Sequence, residues 1–377
     1  TWQRPRFDLA VLICRVLGNV DQPGEAVPVL ARFLQNAKHP ELVLEASLAL
    51  CSTGATDAFN VLVGEMRNRG LDYWRDVESA FAGLPMPERV RDPQSVTDWI
   101  DRSIALRSRG DFAGAETAAD RALIADERSA EAYLNRALAH RANGRPGEAE
   151  ADLTAALKIN PQYYEALIER GRLLNDGPIF TPVVDDFTAA IDLLPNNWRG
   201  WRARGHAYGI RYKLDDAIRD YDKAIELEPN RLDTYLEYAE ILQGQGRKNE
   251  ADALLTKAVN KWPEDSRTWT ARCWLRREFG LGRAIEDALK AVELNPKEAK
   301  AWDVASQIYF ARSDFLQGID AATRAVEADP NEWLAWYYRG LHYYQWAMKE
   351  DAAFYNTRDD GAGRGIVENP GQSASDF

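Results

Sequence analysis

Six prolines recur at an almost constant interval, and this regularity constrains the fold more than any other feature of the sequence. Successive members are 34, 34, 34, 33 and 34 residues apart: Pro161, Pro195, Pro229, Pro263, Pro296 and Pro330. A proline cannot continue a helix but can begin the next one, so each proline marks the same point in successive units. The interval therefore predicts an array of stacked helical repeats.

Other residue types follow the same frame. A large residue lies near the start of each unit, and a small residue follows four positions later in most units. The large residues are Trp99, Tyr133, Leu167, Trp201, Tyr235, Trp269, Trp302 and Trp336, and the small ones include Ala137, Gly171, Gly205, Ala239 and Gly340. Small residues let two helices approach closely, while large ones fill the gaps between units. One helix pair cannot bury its own apolar face, so the units must stack.

This pattern of bulky, small, aromatic, alanine and proline positions resembles the tetratricopeptide repeat over about residues 96–358. The clearest unit contains Trp201, Gly205, Tyr208, Ala217, Tyr221, Ala224 and Pro229. We therefore predict an all-α fold, a right-handed superhelical solenoid of antiparallel helix pairs, with the handedness implied by the resemblance. The array is predicted at 96–349, with seven full repeats and a partial eighth, and a C-terminal tail at 350–377.

The first part of the chain is predicted to form helices without the 34-residue frame. Residues 26–30 (AVPVL) are echoed by residues 58–62 (AFNVL), which resembles HEAT-type repeats. We predict HEAT-like helical pairs at 1–83. The proline-rich segment 84–95 is predicted to be a rigid connection to the array, because prolines stiffen a chain.

Charge and motifs exclude several classes of function. The net charge of −12 argues against a nucleic-acid or anionic-membrane binder, since both need a basic face. No apolar stretch is long enough for membrane insertion. No motif of an enzyme, cofactor or metal site occurs in its required context, and Asp185-Asp186 are interpreted as residues that favour a helix dipole. Widely spaced Cys14, Cys51 and Cys273 are typical of free thiols in a reducing, cytoplasmic compartment.

The candidate site follows from the resemblance, which implies that the first helix of each pair lines a concave, peptide-binding groove. Basic and aromatic residues project onto that face: Arg172, Arg199, Arg202, His206, Arg267, Trp274, Arg277, Phe310, Tyr337 and Tyr344. Arginine binds carboxylates through two hydrogen bonds, and aromatic rings accept apolar side chains. We predict a protein–protein interaction scaffold whose groove binds a partner protein or an acidic or C-terminal peptide.

Three alternatives stay open from the sequence. The groove arginines can instead pair with acids of neighbouring repeats, namely Glu165, Glu169, Glu237 and Glu240. The chain can be the regulatory or sensor portion of a longer enzyme whose catalytic domain lies elsewhere. The aromatic residues crowded into the last repeat can support self-association.

Overall fold

The computed structural model describes residues 4–19, 23–37, 40–175, 177, 181–280 and 283–358, and within these ranges it contains helices and no strand. The helices are α1 (Arg4–Gly18), α2 (Pro23–Asn36), α3 (Pro40–Ser52), α4 (Thr56–Arg69), α5 (Leu71–Phe81), α6 (Glu88–Arg91), α7 (Val96–Ser108), α8 (Phe112–Ala125), α9 (Ala130–Ala142), α10 (Pro146–Ile159), α11 (Tyr164–Asn175), α12 (Thr181–Leu193), α13 (Trp198–Ile210), α14 (Leu214–Leu227), α15 (Leu232–Gly244), α16 (Lys248–Lys261), α17 (Ser266–Glu278), α18 (Ala284–Leu294), α19 (Ala299–Ala311), α20 (Phe315–Ala328) and α21 (Trp333–Arg358). The predicted all-α solenoid of helix pairs is confirmed.

The chain divides into two compact bodies, Thr1–Arg231 and Leu232–Phe377. The N-terminal body contains α1–α6 and four repeats, each with a first helix (helix A: α7, α9, α11, α13) and a second (helix B: α8, α10, α12, α14). One apolar core extends from Cys14 of α1 to Ala207 of α13. Leu84 and Val90 of the proline-rich segment are buried in that core. The HEAT-type assignment and the domain boundary at 84–95 stay predictions.

The C-terminal body contains three further pairs, α15/α16, α17/α18 and α19/α20, followed by α21. The indole of Trp302 packs against three small apolar clusters of this body, which contain Cys273, Ala291 and Ala325 respectively. The eighth repeat is a single long helix, which includes residues 350–358 of the predicted tail. Residues 359–377 lie outside the described part of the chain.

A recurring hydrogen bond explains why the prolines and tryptophans keep the same spacing. The indole N–H of a helix A tryptophan donates to the carbonyl of the proline six residues earlier, at 2.8–3.0 Å: Trp201 to Pro195, Trp269 to Pro263, Trp302 to Pro296 and Trp336 to Pro330. This bond fixes the chain where it enters helix A.

A recurring ion pair joins the two helices of a repeat. Two guanidinium N–H groups of a helix A arginine donate to the carboxylate of a helix B aspartate at 2.6–3.0 Å: Arg136 to Asp152, Arg170 to Asp186, Arg204 to Asp220 and Arg272 to Asp287. The aspartates are buried. Asp186, interpreted from the sequence as a helix-dipole residue, is thus half of a two-bond ion pair. The arginines recur in the repeat frame, so the sequence carried this signal.

Candidate functional site

In the first two repeats, N-terminal helices cover the helix A faces that would line a groove. Ile100 and Ile104 of α7 and Leu134 and Leu138 of α9 are at most 5% exposed. They belong to the same apolar core as Phe81 of α5, and α5 packs against α7. The first two repeats therefore do not offer an open groove at these positions.

Ion pairs hold the N-terminal helices on these repeats. Arg67 of α4 donates to Asp101 at 2.6 Å and to Glu131 at 2.7 Å. Arg107 of α7 donates to Glu78 of α5 at 2.7 Å. Asp101 is 1% exposed, so its charge needs a partner to offset desolvation. These contacts make the N-terminal helices an integral part of the N-terminal body.

Arg199, a predicted groove residue, is buried in an ion pair. Its guanidinium donates to both carboxylate oxygens of Glu165 at 2.5 and 2.7 Å and lies 5.3 Å from the ring centroid of Tyr164. Arg199 is 3% exposed. The turn between α4 and α5 covers the pair at Gly70, where an added Cβ would collide with both Arg199 and Glu165. The pairing left open by the sequence therefore occurs at this position.

The other three predicted residues of the N-terminal body lie on α11 and α13 and are half-buried. Arg172 donates to Glu169 at 3.0 Å, and the buried carboxylate of Glu169 also pairs with Arg141. The guanidinium of Arg202 lies 5.3 Å from the ring centroid of Trp198. His206 Nδ1 is 3.3 Å from Nδ2 of Asn175. These three side chains belong to α11 and α13, the first helices of neighbouring repeats, and their role in binding a ligand stays a prediction.

A cleft of about 540 Å³ lies beside Arg199, and sequence reasoning missed it. Its walls come from α3–α5, from the turn before α13 and the first residues of that helix, and from the turn after α14: Val43, Leu44, Asn68, Arg69, Asp76, Leu194, Pro195, Asn196, Asn197, Trp198, Arg199, Glu228 and Arg231. The ring of Trp198 contacts both Arg202 and Arg231, each at 5.3 Å. Arg231 also pairs with Asp76 at 2.9 Å. Segments more than a hundred residues apart form this cleft, so no local pattern could have indicated it.

In the C-terminal body, the predicted residues Trp274 and Arg277 form one unit. The guanidinium of Arg277 lies 4.5 Å from the ring centroid of Trp274, and Arg277 Nη1 donates to the side-chain oxygen of Gln307. Gln307 in turn donates to Asp303 at 2.7 Å. Among the described residues, no carboxylate forms an ion pair with Arg277. Its guanidinium is therefore fixed by a ring and a neutral amide.

Asp303 is the most perturbed carboxyl group near this unit. It is 3% exposed, and desolvation raises its pKa to about 6 with a smaller contribution from the charge of Glu332, against the lowering effects of the Gln307 hydrogen bond and of the Arg277 charge. Its Oδ1 is buried without a hydrogen-bond partner. Gln307 thus bridges Arg277 and Asp303, and the charge of Arg277 only partly offsets the desolvation of the carboxylate.

The remaining predicted residues differ in exposure. Phe310 is half-buried, with its ring 5.9 Å from that of Tyr338. Tyr337 and Tyr344 of α21 are 53% and 55% exposed. Arg267 has acid partners, since it donates to Asp265 at 2.7 Å and to Asp233 at 3.3 Å. The predicted set thus contains one arginine whose contacts are a ring and a neutral amide, Arg277, and two exposed aromatic rings, Tyr337 and Tyr344.

Two family models match parts of the repeat array. A tetratricopeptide repeat model matches residues 100–177 and 304–346, and a second tetratricopeptide repeat model matches residues 211–273. This chain is a tetratricopeptide repeat protein. No curated protein sequence matches it significantly.

Two solved structures resemble this tetratricopeptide repeat protein in fold. A tetratricopeptide repeat protein from Parabacteroides merdae ATCC 43184 is 20% identical, covering 66% of this chain and 99% of its own, with a TM-score of 0.52. Yeast Tom70 is 15% identical, covering 95% of this chain and 93% of its own, with a TM-score of 0.55. At these identities the likeness concerns the fold alone.

The described residues of the tetratricopeptide repeat protein form neither a candidate metal-ion site nor a membrane-spanning helix. They contain no group of three or more His, Cys, Asp or Glu residues that could hold a metal ion. No helix among them is both long and apolar enough to cross a membrane. Cys14, Cys51 and Cys273 are unpaired by disulfides. Desolvation raises the pKa of each thiol, to about 12 for Cys51.

Proposed function

We propose that this tetratricopeptide repeat protein is a non-catalytic scaffold that binds an extended peptide of a partner protein on the helix A faces of its C-terminal body. The observation that carries the proposal is Arg277, whose guanidinium stacks on Trp274 and bonds to the neutral amide of Gln307. Both contacts restrict the arginine without neutralising it. A fixed arginine loses little side-chain entropy when it binds a carboxylate.

The surroundings of Arg277 favour a ligand that combines a carboxylate with a large apolar side chain. The half-buried position strengthens a charge-assisted hydrogen bond, because the local dielectric constant is lower than that of water. Phe310, Tyr337 and Tyr344 supply aromatic surface for an apolar side chain. An acidic or C-terminal peptide with a neighbouring leucine or aromatic residue has this chemistry.

Within the N-terminal body, we propose that Arg172, Arg202 and His206 contact the same class of ligand. The cleft beside Trp198 extends the surface available there. Arg172, like Arg199 and Arg267, already has an acid partner, so we assign these three residues secondary contacts with a ligand. The cytoplasmic location inferred from the cysteines and the hypothesis of a longer regulatory enzyme both stay predictions. Self-association through α21 is a second proposal and depends on different residues.

A panel of labelled peptides tests the groove proposal. The panel contains peptides that end in a free carboxylate after leucine or phenylalanine, together with the same peptides as C-terminal amides. Fluorescence anisotropy should show binding of the free acids and at least about tenfold weaker binding of the amides, which corresponds to one charge-assisted hydrogen-bond pair.

Two charge reversals make this measurement specific. Arg277→Glu should abolish binding of the free acids, because it replaces the attractive charge with a repulsive one. Arg283→Glu is the matched control, because Arg283 is 78% exposed and lies in the turn before α18. Equal binding of acids and amides, or unchanged binding by Arg277→Glu, contradicts the proposal.

A further inference from the structure

In six of the seven repeats before α21, helix A ends in a turn that contains a residue with positive φ, and the equivalent position of the third repeat, Pro178, lies outside the described residues. These residues occupy one position of the repeat frame: Gly110, Gly144, Tyr212, Gly246, Gly280 and Ser313, with φ of 60–77°. The equivalent position of the eighth repeat is Ala347, which is helical. Alanine has the highest helix propensity and disfavours positive φ. The sequence therefore removes the turn at this position.

Without the turn, α21 continues as one helix of 26 residues, whereas α17 and α19 have 13 residues each. At a rise of 1.5 Å per residue, α21 is about 39 Å long, twice the length of a normal helix A. The residues after Ala347 correspond to helix B of the other repeats. Because the helix continues without a turn, these residues do not fold back onto the face of α21 on which a helix B would pack.

That surface is a stripe on one side of α21. Trp336, Gly340, Tyr343 and Ala347 are spaced at i, i+4, i+7 and i+11 and lie on one face, with Trp346 beside them. Trp336 is 44% exposed, Tyr343 is 42% exposed and Trp346 is 37% exposed. We call these five residues the α21 stripe.

In earlier repeats, helix B of the same repeat covers the equivalent stripe. A Cβ added at Gly171 would lie 2.5 Å from the ring of Phe187, and one at Gly205 would lie 3.2 Å from the ring of Tyr221. Phe187 belongs to α12 and Tyr221 to α14. Among the described helices, those that pack against α21 are α19 and α20, which precede it. Within the described part of the chain, no helix B therefore packs on the α21 stripe as α12 and α14 pack on Gly171 and Gly205.

We infer that a second copy of this chain covers the α21 stripe, through antiparallel pairing of the two α21 helices. In this arrangement, the half of α21 after Ala347 from each copy occupies the helix B position of the other. Each copy lacks a helix B on its α21 stripe, and the segment after Ala347 of the other copy can fill that position. A dimer with one two-fold axis therefore covers both stripes.

The chemistry of the stripe agrees with a self-complementary contact. Its members are aromatic or small and uncharged, so the stripe itself presents no charge to the segment after Ala347 of a second copy, which begins with Met348, Lys349, Glu350 and Asp351. The nearest basic residue, Arg339, stacks on Trp336 with its guanidinium 4.3 Å from the ring centroid. Gly340 lies between the aromatic residues and permits close approach of two helices. The proposed interface goes beyond the groove proposal, since it concerns the α21 stripe and not the contacts of Arg277 with Trp274 and Gln307.

Sedimentation of the full chain tests the pairing. We expect a monomer–dimer equilibrium that shifts toward the dimer over about a hundredfold increase in concentration. Gly340→Glu should yield a monomer, because it places a bulky charge at the closest approach of the helices, while it favours α21 itself by helix propensity. Gln317→Glu adds the same charge at an exposed position of α20 and should leave the dimer unchanged.

Two further variants report on the geometry. Ala347→Cys should form a disulfide-linked dimer on oxidation, because the antiparallel axis passes close to residue 347, whereas Gln317→Cys should not. The double variant Ala347→Gly with Met348→Asp copies the Gly110-Asp111 turn. It should allow helix B to fold back, which produces a monomer of unchanged helix content by circular dichroism.

The contradicting outcomes are distinct from those of the peptide assay. A chain that sediments as a monomer throughout, a Gly340→Glu variant that remains dimeric, or Ala347→Cys chains that do not cross-link would each overturn the pairing. Binding of the peptide panel through Arg277 does not depend on any of these results, so either proposal can fail while the other holds.

Discussion

The guanidinium of Arg199 and the carboxylate of Glu165 meet through two hydrogen bonds, of 2.5 and 2.7 Å, although the residues lie 34 positions apart in the chain. They occupy the same position in successive repeats. Within the C-terminal body, the equivalent residues Arg267 and Asp233 meet at 3.3 Å. Arginines predicted to face a ligand therefore also link one repeat to the next.

Removing one member of the Arg199 pair should destabilise the protein. Arg199→Ala leaves Glu165 charged, half-buried and without its main partner, which we expect to lower the free energy of unfolding by about 3 kcal/mol. Replacing both residues by apolar ones, Arg199→Met with Glu165→Leu, should recover most of that loss. Urea unfolding measures both effects. A loss below about 0.5 kcal/mol for Arg199→Ala would show that the pair contributes little.

The turn at Gly70 should not tolerate a side chain. Its φ of 86° and ψ of 177° are accessible almost only to glycine, and a Cβ there would press on Arg199 and Glu165. We expect Gly70→Ala to cost about 2 kcal/mol or more of unfolding free energy and to increase proteolysis between α4 and α5. Gly64→Ala is the control: Gly64 is helical with open space around it, so that variant should be neutral or stabilising.

The ion pairs within repeats should require arginine itself. Arg204 makes two bonds to Asp220, a third to Thr188, and lies 5.1 Å from the ring centroid of Trp201. Lysine cannot reproduce the planar two-bond contact or the stacking. Arg204→Lys should cost about 1–2 kcal/mol. Arg219→Lys, at a residue 69% exposed, should change stability by less than about 0.5 kcal/mol. Equal effects in thermal unfolding would refute this distinction.

The raised pKa of Asp303 should make stability depend on pH. Burial raises its folded pKa to about 6, above the ordinary value of about 4 in the unfolded chain. Between these two pKa values, the folded state therefore binds more protons than the unfolded chain does. Its contribution to stability is present below about pH 4 and is lost as pH rises through about 6, a change of up to about 3 kcal/mol.

Asp303→Asn keeps an acceptor for Gln307 and removes the charge. The variant should be more stable than the parent chain at pH 7, and the two should converge near pH 4. Urea unfolding as a function of pH measures this difference. A constant difference across that range would mean that the carboxyl group does not titrate as its burial implies.

Much of the fold could be predicted because residue types at fixed positions within each repeat define the repeat frame. Proline spacing, the tryptophans that bond to proline carbonyls, and the glycine-containing turns each act within one repeat or between adjacent ones. The ten predicted site residues also lie on helix A, as the frame indicates. The repeat frame could not predict the burial and the partners of these residues. Arg199, for example, is covered by the turn at Gly70, more than a hundred residues earlier in the chain.

The sequence by itself determined the helix pairs and their period, because these depend on backbone conformational preferences and on contacts at fixed separations along the chain. Only the tertiary structure decided which inner helix faces are covered, which arginines are paired and where a cleft forms. Those outcomes depend on how α3–α5 pack on repeats that are far away in sequence. Such long-range contacts do not produce a periodic pattern in the sequence.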